Sequence, residues 1–280
     1  MIKSISHWST TGGLDGSATI EAALDEAKSA GFKGIELAIG PTGPFSVETD
    51  RPTAERYRKE AEKRGLVTET VATGITWGVS PNHPDKATRE KSVALHTAAI
   101  ERAAWFGAKA MLMVPGAIKI PWEPSYGPVK YDDAVNWSRE AVKRVAAKAE
   151  QVGVDLCVEN VWNGMFYSPL EYAAFIDSIG SPRVGSYFDV GNLLGYHQYP
   201  PHWIELLGKR IRRVHIKDFK TSVGTLAGFC DLLEGDVPWQ ETMAALRQIG
   251  YDETIVAEML PTAPGLLERT SRAMDRILTM

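Results

Sequence analysis

The chain has 280 residues, 44% of them hydrophobic and 24% charged, with a formal net charge of −4. That is an ordinary globular composition, long enough for a large core and within the ~250-residue reach of a single α/β barrel domain. No unbroken basic run of five or more residues occurs, and no apolar stretch at the N-terminus resembles a signal peptide or a membrane span. Neither nucleic acid nor membrane is therefore expected as a partner. Two cysteines, Cys157 and Cys230, are too few for a disulfide framework and point to a reducing, cytoplasmic setting.

In chain order, Ile2 to His7 reads as a first strand. A helical pattern then closes at Gly31, and the strand Gly34-Ile35-Glu36-Leu37 follows. The same punctuation recurs at Gly65 before Val67-Thr68-Glu69-Thr70-Val71, and at Gly107 before Ala110-Met111-Leu112-Met113-Val114. It returns at Gly153, Gly180, Gly208 and Gly250, ahead of strands that reach Glu159, Asp189, His215 and Glu258. A glycine just past a helix closes it in the left-handed conformation without a Cβ clash. Seven helix-to-strand joints require eight strands, and Leu266 to Met280 supplies a closing helix.

Helix starts agree with this order. Asp132 to Val152 is a long amphipathic run. Ser168-Pro169-Leu170-Glu171 has the form of a capping box, and Asp236 is expected to cap the helix that reaches Ile249. Strand–helix alternation throughout predicts an α/β fold: a single (β/α)8 TIM barrel over residues 1–280, with a closed parallel eight-stranded sheet. No Gly-x-Gly-x-x-Gly turn follows the first strand. This argues against an open nucleotide-binding sheet, and no redox or nucleotide cofactor is expected. The long segments Gly78 to Asp85, Pro115 to Tyr131 and Phe219 to Gly235 follow strands, so they belong to the face where barrels keep their sites.

Four strands reach residues able to bind a metal: Cys157-Val158-Glu159-Asn160, Tyr187-Phe188-Asp189-Val190-Gly191-Asn192, Val214-His215-Ile216-Lys217-Asp218 and Val256-Ala257-Glu258. Any one of these acids alone reads as a cap or a solvated loop residue, and a lone histidine as a core residue. Four at similar depth on four consecutive strands form a hard, oxygen-rich set with one imidazole. That set suits one divalent ion, Mn²⁺, Mg²⁺, Co²⁺ or Zn²⁺, with open positions for substrate. A cation also removes the cost of gathering buried carboxylates.

Through these motifs, and through Glu234-Gly235-Asp236-Val237, the chain resembles the xylose-isomerase-like barrel superfamily in its sugar phosphate isomerase/epimerase branch. That branch includes the ketose 3-epimerases and L-ribulose-5-phosphate 3-epimerase. The resemblance implies an enzyme in which Glu159, Asp189, His215 and Glu258 hold one cation, Mn²⁺ first. Glu159 and Glu258 are then the acid/base pair that epimerises a ketose or ketose phosphate through a stabilised enediolate. The chemistry is coherent: a proton beside a ketone is removed on one face and returned on the other, by carboxylates from strands five and eight across the barrel mouth. The same first step also opens dehydration or β-elimination on a keto sugar, keto-glycoside or keto-inositol. The superfamily's metal-dependent endonucleases fit poorly, because the chain has only six histidines.

The expected substrate contacts are His7, Trp77, Asn160, Asn192, Lys217 and Lys220, with Trp8 beside His7. His197 and His202 read as loop residues, not ligands. The chain departs from the free-ketose epimerases at three positions. Asn192 replaces a histidine, Met165 a second glutamate, and Thr221, beside Lys220, an arginine. A phosphate or several hydroxyls on Lys217, Lys220, Thr221, Ser222, Gly224 and Thr225 is the corresponding expectation. The expected partner is a small sugar or sugar phosphate, and the helices are compatible with a homo-oligomer.

Overall fold

The computed structural model describes residues 1–280. Eight strands close into one parallel barrel: β1 (Ile2–Ser6), β2 (Gly34–Ala38), β3 (Thr70–Ala72), β4 (Ala110–Met113), β5 (Asp155–Glu159), β6 (Val184–Asp189), β7 (Ile211–Ile216) and β10 (Thr254–Ala257). Their order around the barrel is β1-β10-β7-β6-β5-β4-β3-β2, so the chain is a (β/α)8 TIM barrel. Between the last two barrel strands, β8 (Asp218–Phe219) and β9 (Phe229–Cys230) form an antiparallel hairpin outside the sheet. The helices are α1 (Ile20–Ser29), α2 (Arg51–Lys63), the single turn α3 (Ile75–Gly78), α4 (Lys86–Phe106), α5 (Tyr131–Val152), α6 (Pro169–Ile179), α7 (Pro200–Leu207), α8 (Trp239–Gln248) and α9 (Leu266–Ile277). None is long and apolar enough to cross a membrane.

The seven punctuating glycines all adopt positive φ, from 52° at Gly208 to 89° at Gly107. At the other helix ends, Thr19, Asp50, Asp85 and Ser168 accept first-turn N–H groups through their side chains. Such caps contribute about 1 kcal/mol each. Two capping expectations fail. Asp236 does not cap α8, which begins after Pro238 with no side-chain cap. Its carboxylate instead accepts the Thr221 N–H and hydroxyl at 2.7 and 2.6 Å, because the turn after β8 folds back onto it. Glu171 does not complete the capping box either; it accepts the Tyr131 hydroxyl. The first strand also stops one residue early, and His7 opens a 3-10 turn to Ser9.

Alternating strand residues face opposite sides of the sheet. The outward set packs against the helices in a cluster of 65 buried residues. The inward apolar set is small: Ala72, Ala110, Leu112, Val114, Cys157 and Tyr187, with Trp8 and Trp77 at its edge. The barrel centre is therefore apolar on the β3–β4 side, while the ionisable side chains gather on the opposite side.

Candidate metal centre and active-site cavity

Strand register places the four ligand candidates. Asp189 is the partner of His215 across β6 and β7. Val256 is the partner of His215 across β7 and β10, so Glu258 stands one alternation higher on the same face. Glu159 pairs with Tyr187, two residues below Asp189. One ligand atom from each of Glu159, Asp189, His215 and Glu258 lies within 4.8 Å of the others. His215 Nδ1 is 3.4 Å from Glu258 Oε2, 3.6 Å from Glu159 Oε1 and 4.0 Å from Asp189 Oδ2. Asp189 and His215 are fully buried, and both glutamates open slightly toward the mouth.

The other ring nitrogen of His215 is held by a residue that sequence reasoning missed. Nε2 lies 2.7 Å from Glu36 Oε1, and the Tyr187 hydroxyl donates to the second oxygen of the same carboxylate. Glu36 is fully buried on β2 and reaches His215 past two intervening strands. A proton on Nε2 directed at Glu36 leaves the Nδ1 lone pair facing three carboxylates, the arrangement that orients a metal-binding histidine. Nδ1 and Asp189 Oδ2 are both buried without a hydrogen-bond partner. Two donor atoms without a hydrogen bond, aimed at one point with two further carboxylates, fit a divalent cation. The signal in the sequence was a carboxylate between Ile35 and Leu37 inside an apolar strand, where acids seldom lie without a partner.

Lys217 enters the same cluster. Its Nζ is 2.5 Å from Glu258 Oε2 and 3.1 Å from Asp189 Oδ2. Its chain lies tightly against the Asp189-Val190-Gly191-Asn192 turn: a Cβ at Gly191 would stand 2.5 Å from Lys217 Cγ. The Lys217 carbonyl oxygen would stand equally close, so the glycine of that motif is required by the approach of the next strand's end.

The field of this cluster separates the two glutamates. Burial pushes Glu159 up to about 7. Burial acts on Glu258 in the same sense, but Lys217 and His215 outweigh it and hold Glu258 well below the usual carboxylate range. Burial raises Asp189 against the pull of Lys217. For His215, burial opposes charge, yet Glu36, Glu159 and Glu258 raise it well above the ordinary imidazole range. The site therefore demands positive charge at Nδ1. A proton and a divalent cation compete for that position.

Two residues after the ligands act as braces. The Asn160 carboxamide donates to the Asp189 carbonyl at 2.8 Å and accepts the Asp189 N–H at 2.9 Å. The Asn192 N–H donates to Asp189 Oδ1, and its side chain donates to the Asn160 carbonyl. Asp218 pins the hairpin loop by accepting the Leu233 and Val237 N–H groups and the Trp239 indole. Gly235 packs so closely on Asp218 that a Cβ would stand 2.1 Å from Oδ1.

A cavity of about 890 Å³ opens above the cluster. Glu159, Lys217 and Glu258 lie in its wall, as do the expected His7, Trp77 and Asn192. Asn160 and Lys220 do not line it. Asn160 is committed to Asp189, and Lys220 is exposed on the hairpin, with its N–H on the Gly228 carbonyl. Thr221 is held by Asp236. Met165 is buried and takes a contact from the Asn82 amide. Neither Met165 nor Thr221 lines the cavity.

His7 is buried, with Nε2 unpartnered and Nδ1 accepting the Ala38 N–H at 3.4 Å. Burial pushes its pKa down to about 4, so at neutral pH the ring is uncharged and Nε2 carries the proton. Trp122, Trp162 and Phe229 also line the cavity. They lie on loops and a short hairpin without periodicity, and no sequence pattern marked them.

The pattern of the family described as xylose isomerase-like TIM barrel matches residues 24–277. The D-psicose 3-epimerase of Ruminiclostridium cellulolyticum is 24% identical over 244 residues, spanning 84% of this chain and 76% of that protein. A solved D-tagatose 3-epimerase-like protein superposes with a TM-score of 0.80 at 17% identity, over 100% of this chain and 97% of that one. The structure of an L-ribulose 3-epimerase gives 0.79 at 19% identity, over 100% and 95%. The solved structures share the barrel, and the sequence match extends over nearly all of it: the chain belongs to the xylose isomerase-like TIM barrel family.

Proposed function

We propose that this enzyme of the sugar isomerase/epimerase class inverts the carbon beside the ketone of a keto sugar, the 3-position in a ketose, with Glu159 and Glu258 as the proton-transfer pair. The observation that carries the reading is the convergence of two carboxylates, from β5 and from the end of β10, on one point in the cavity wall. One ion held by Glu159, Asp189, His215 and Glu258, Mn²⁺ by preference, would supply positive charge to the oxygens on which negative charge develops. One glutamate takes the proton from carbon and the other returns one to the opposite face; the starting epimer decides which acts first. Lys217 holds the Glu258 carboxylate in place, and Glu36 holds the His215 ring. His7 offers a fixed Nε2–H to a substrate oxygen, and Trp77 an apolar face to sugar C–H groups. The ketose 3-epimerase names of the similar proteins support this assignment. Two unpaired thiols support a reducing, cytoplasmic setting.

The test is a panel of ketoses in D₂O with the Mn²⁺-loaded protein. Deuterium at C3 together with the inverted sugar is expected. Loss of water or of a substituent assigns the same site to a dehydratase or lyase. No deuterium in any ketose overturns the proton-transfer reading.

A further inference from the structure

The segments that follow β3, β4 and β5 are tied together by one buried side chain. Asn82 stands between Pro81 and Pro84 in the short connection from α3 to α4, and it is fully buried. Proline on both sides stiffens that backbone. Asn82 Oδ1 accepts the Ser80 hydroxyl at 2.7 Å and the Ala117 N–H at 3.0 Å, and the Tyr126 hydroxyl lies 3.4 Å from it. Asn82 itself does not line the cavity.

Ala117 and Tyr126 lie on the outgoing and returning arms of the loop between β4 and α5. The Tyr126 hydroxyl also reaches the Ala117 carbonyl at 3.2 Å, and the Val129 N–H donates to the Ile118 carbonyl at 3.0 Å. Trp122 is carried between the two arms. It stands in the cavity wall and meets Trp77 edge to face at 4.7 Å. This loop contains no helix or strand of its own, so its shape depends on where its polar backbone groups find partners.

The tie extends to the next loop. The Gly116 carbonyl accepts the Asn163 side-chain amide at 2.8 Å, and the Asn163 carbonyl accepts the Ile118 N–H at 2.8 Å. Asn163 follows Trp162, a further wall residue. Gly116 is fitted to the junction: its φ is 139°, and a Cβ there would stand 2.4 Å from Asn82 Cγ. Removing the Asn82 oxygen would leave the Ala117 N–H buried without its acceptor, which costs more than the bond itself contributes.

We infer that Asn82 is a positioning residue: its carboxamide oxygen shapes the β4–α5 loop and so seats Trp122, and through Asn163 also Trp162, in the wall against which substrate is held. Glu159 lies in β5, whose ladder with β6 holds it independently of that loop. Loss of the acceptor therefore weakens substrate binding and spares proton transfer. That consequence for turnover rests on the proton-transfer reading above; the seating of the loop does not.

The test compares Asn82→Leu, which keeps bulk and removes the acceptor, with Asn82→Asp, which keeps it. Gly116→Ala drives a Cβ into the same carboxamide from the other side, and repeats the test should Asn82→Leu not fold. Two readouts need no substrate. The near-ultraviolet circular dichroism of the Trp77–Trp122 pair is identified as the signal lost in Trp122→Phe; Asn82→Leu is expected to lose it and Asn82→Asp to keep it. Amide hydrogen exchange over residues 115–130 should be roughly tenfold or more faster in Asn82→Leu, with β6 and β7 protected as in the parent. The third readout is deuterium uptake by D-fructose and D-tagatose on the Mn²⁺-loaded protein, where KM is expected to rise about fivefold or more with kcat within about threefold. An intact tryptophan signal in Asn82→Leu, an equal loss in Asn82→Asp, exchange that rises as much in β6 and β7, or a fall in kcat at unchanged KM overturns the assignment. Failure of the parent to deuterate either sugar counts against the proton-transfer reading and not against Asn82, which the first two readouts then decide.

Discussion

At the C-terminal ends of β5, β6, β7 and β10, the inward positions carry Glu159, Asp189, His215 and Glu258; on β3 and β4 they carry Ala72, Ala110 and Leu112. One arc of the barrel holds charge and the other offers an apolar wall. The division has a physical cause. Ionisable groups in a low-dielectric interior are tolerable when they neutralise one another or share a cation, so they cluster. The facing arc is then free to stay apolar and to shape the cavity. Glu36, on the apolar arc, tests the rule from the other side. It is tolerated there because His215 and Tyr187 both reach it.

The largest expected effect breaks the charged arc itself. Glu159→Gln and Glu258→Gln keep shape but remove a titrating carboxylate. Turnover should fall about 10²–10⁴-fold for each, with a smaller change in substrate affinity. Steady-state kinetics on the exchanging ketose decide it, and near-full turnover in both variants moves the proton transfer to another residue.

The next effect belongs to the apolar side. His96, on α4, is fully buried; its Nδ1 lies 2.8 Å from the Ser92 carbonyl and its Nε2 3.3 Å from the Thr76 hydroxyl. Burial depresses its pKa from 6.5 to about 4. The unfolded chain therefore binds the proton more readily. Stability is full above about pH 6.5 and is lost as the pH falls through about 4, by up to roughly 3 kcal/mol. His7 acts in the same direction. Urea midpoints measured between pH 7 and pH 4 should fall less steeply in His96→Gln than in the parent. Parallel slopes would remove His96 from the acid limb.

Glu36→Gln sharpens the boundary between the arcs. It keeps a side chain beside His215 Nε2 but removes the charge, and Mn²⁺ affinity should fall roughly 10–100-fold. Calorimetric titration with Mn²⁺ reads this directly. An unchanged affinity would make Glu36 a purely structural partner.

The smallest effect comes from adding bulk to the apolar wall. Ala72→Val inserts methyl groups into a close-packed interior and should cost about 1 kcal/mol, at the low end for overpacking. Mn²⁺ affinity should stay the same, and a matching loss of affinity would show that the two arcs are not separable.

Much of this division was legible before any coordinates. Gly107, Gly153 and Gly180 punctuate the chain because a helix end needs a left-handed residue whatever its surroundings. Glu159, Asp189, His215 and Glu258 stood out because each ends an apolar run, and strand alternation carries such residues to one rim. Other features were not legible. Asp236 looked like a helix cap, but the fold-back onto Thr221 claimed its carboxylate. Asn160 looked like a substrate contact, but it braces Asp189. Lys220 looked like a phosphate ligand, but it stands outside the cavity on an exposed hairpin.

By itself, then, the sequence determined the strand–helix repeat, the closed barrel and the four residues that meet at its rim. These follow from local rules of capping, alternation and hydrophobic period, which act over a few residues. Only the tertiary structure decided that Glu36 holds His215 from 179 residues away and that Lys217 lies against Gly191. It also decided that four loops bring Leu14, Trp122, Leu226 and Leu260 to one mouth. Those are contacts between segments distant in the chain, and no local period encodes which of them will touch.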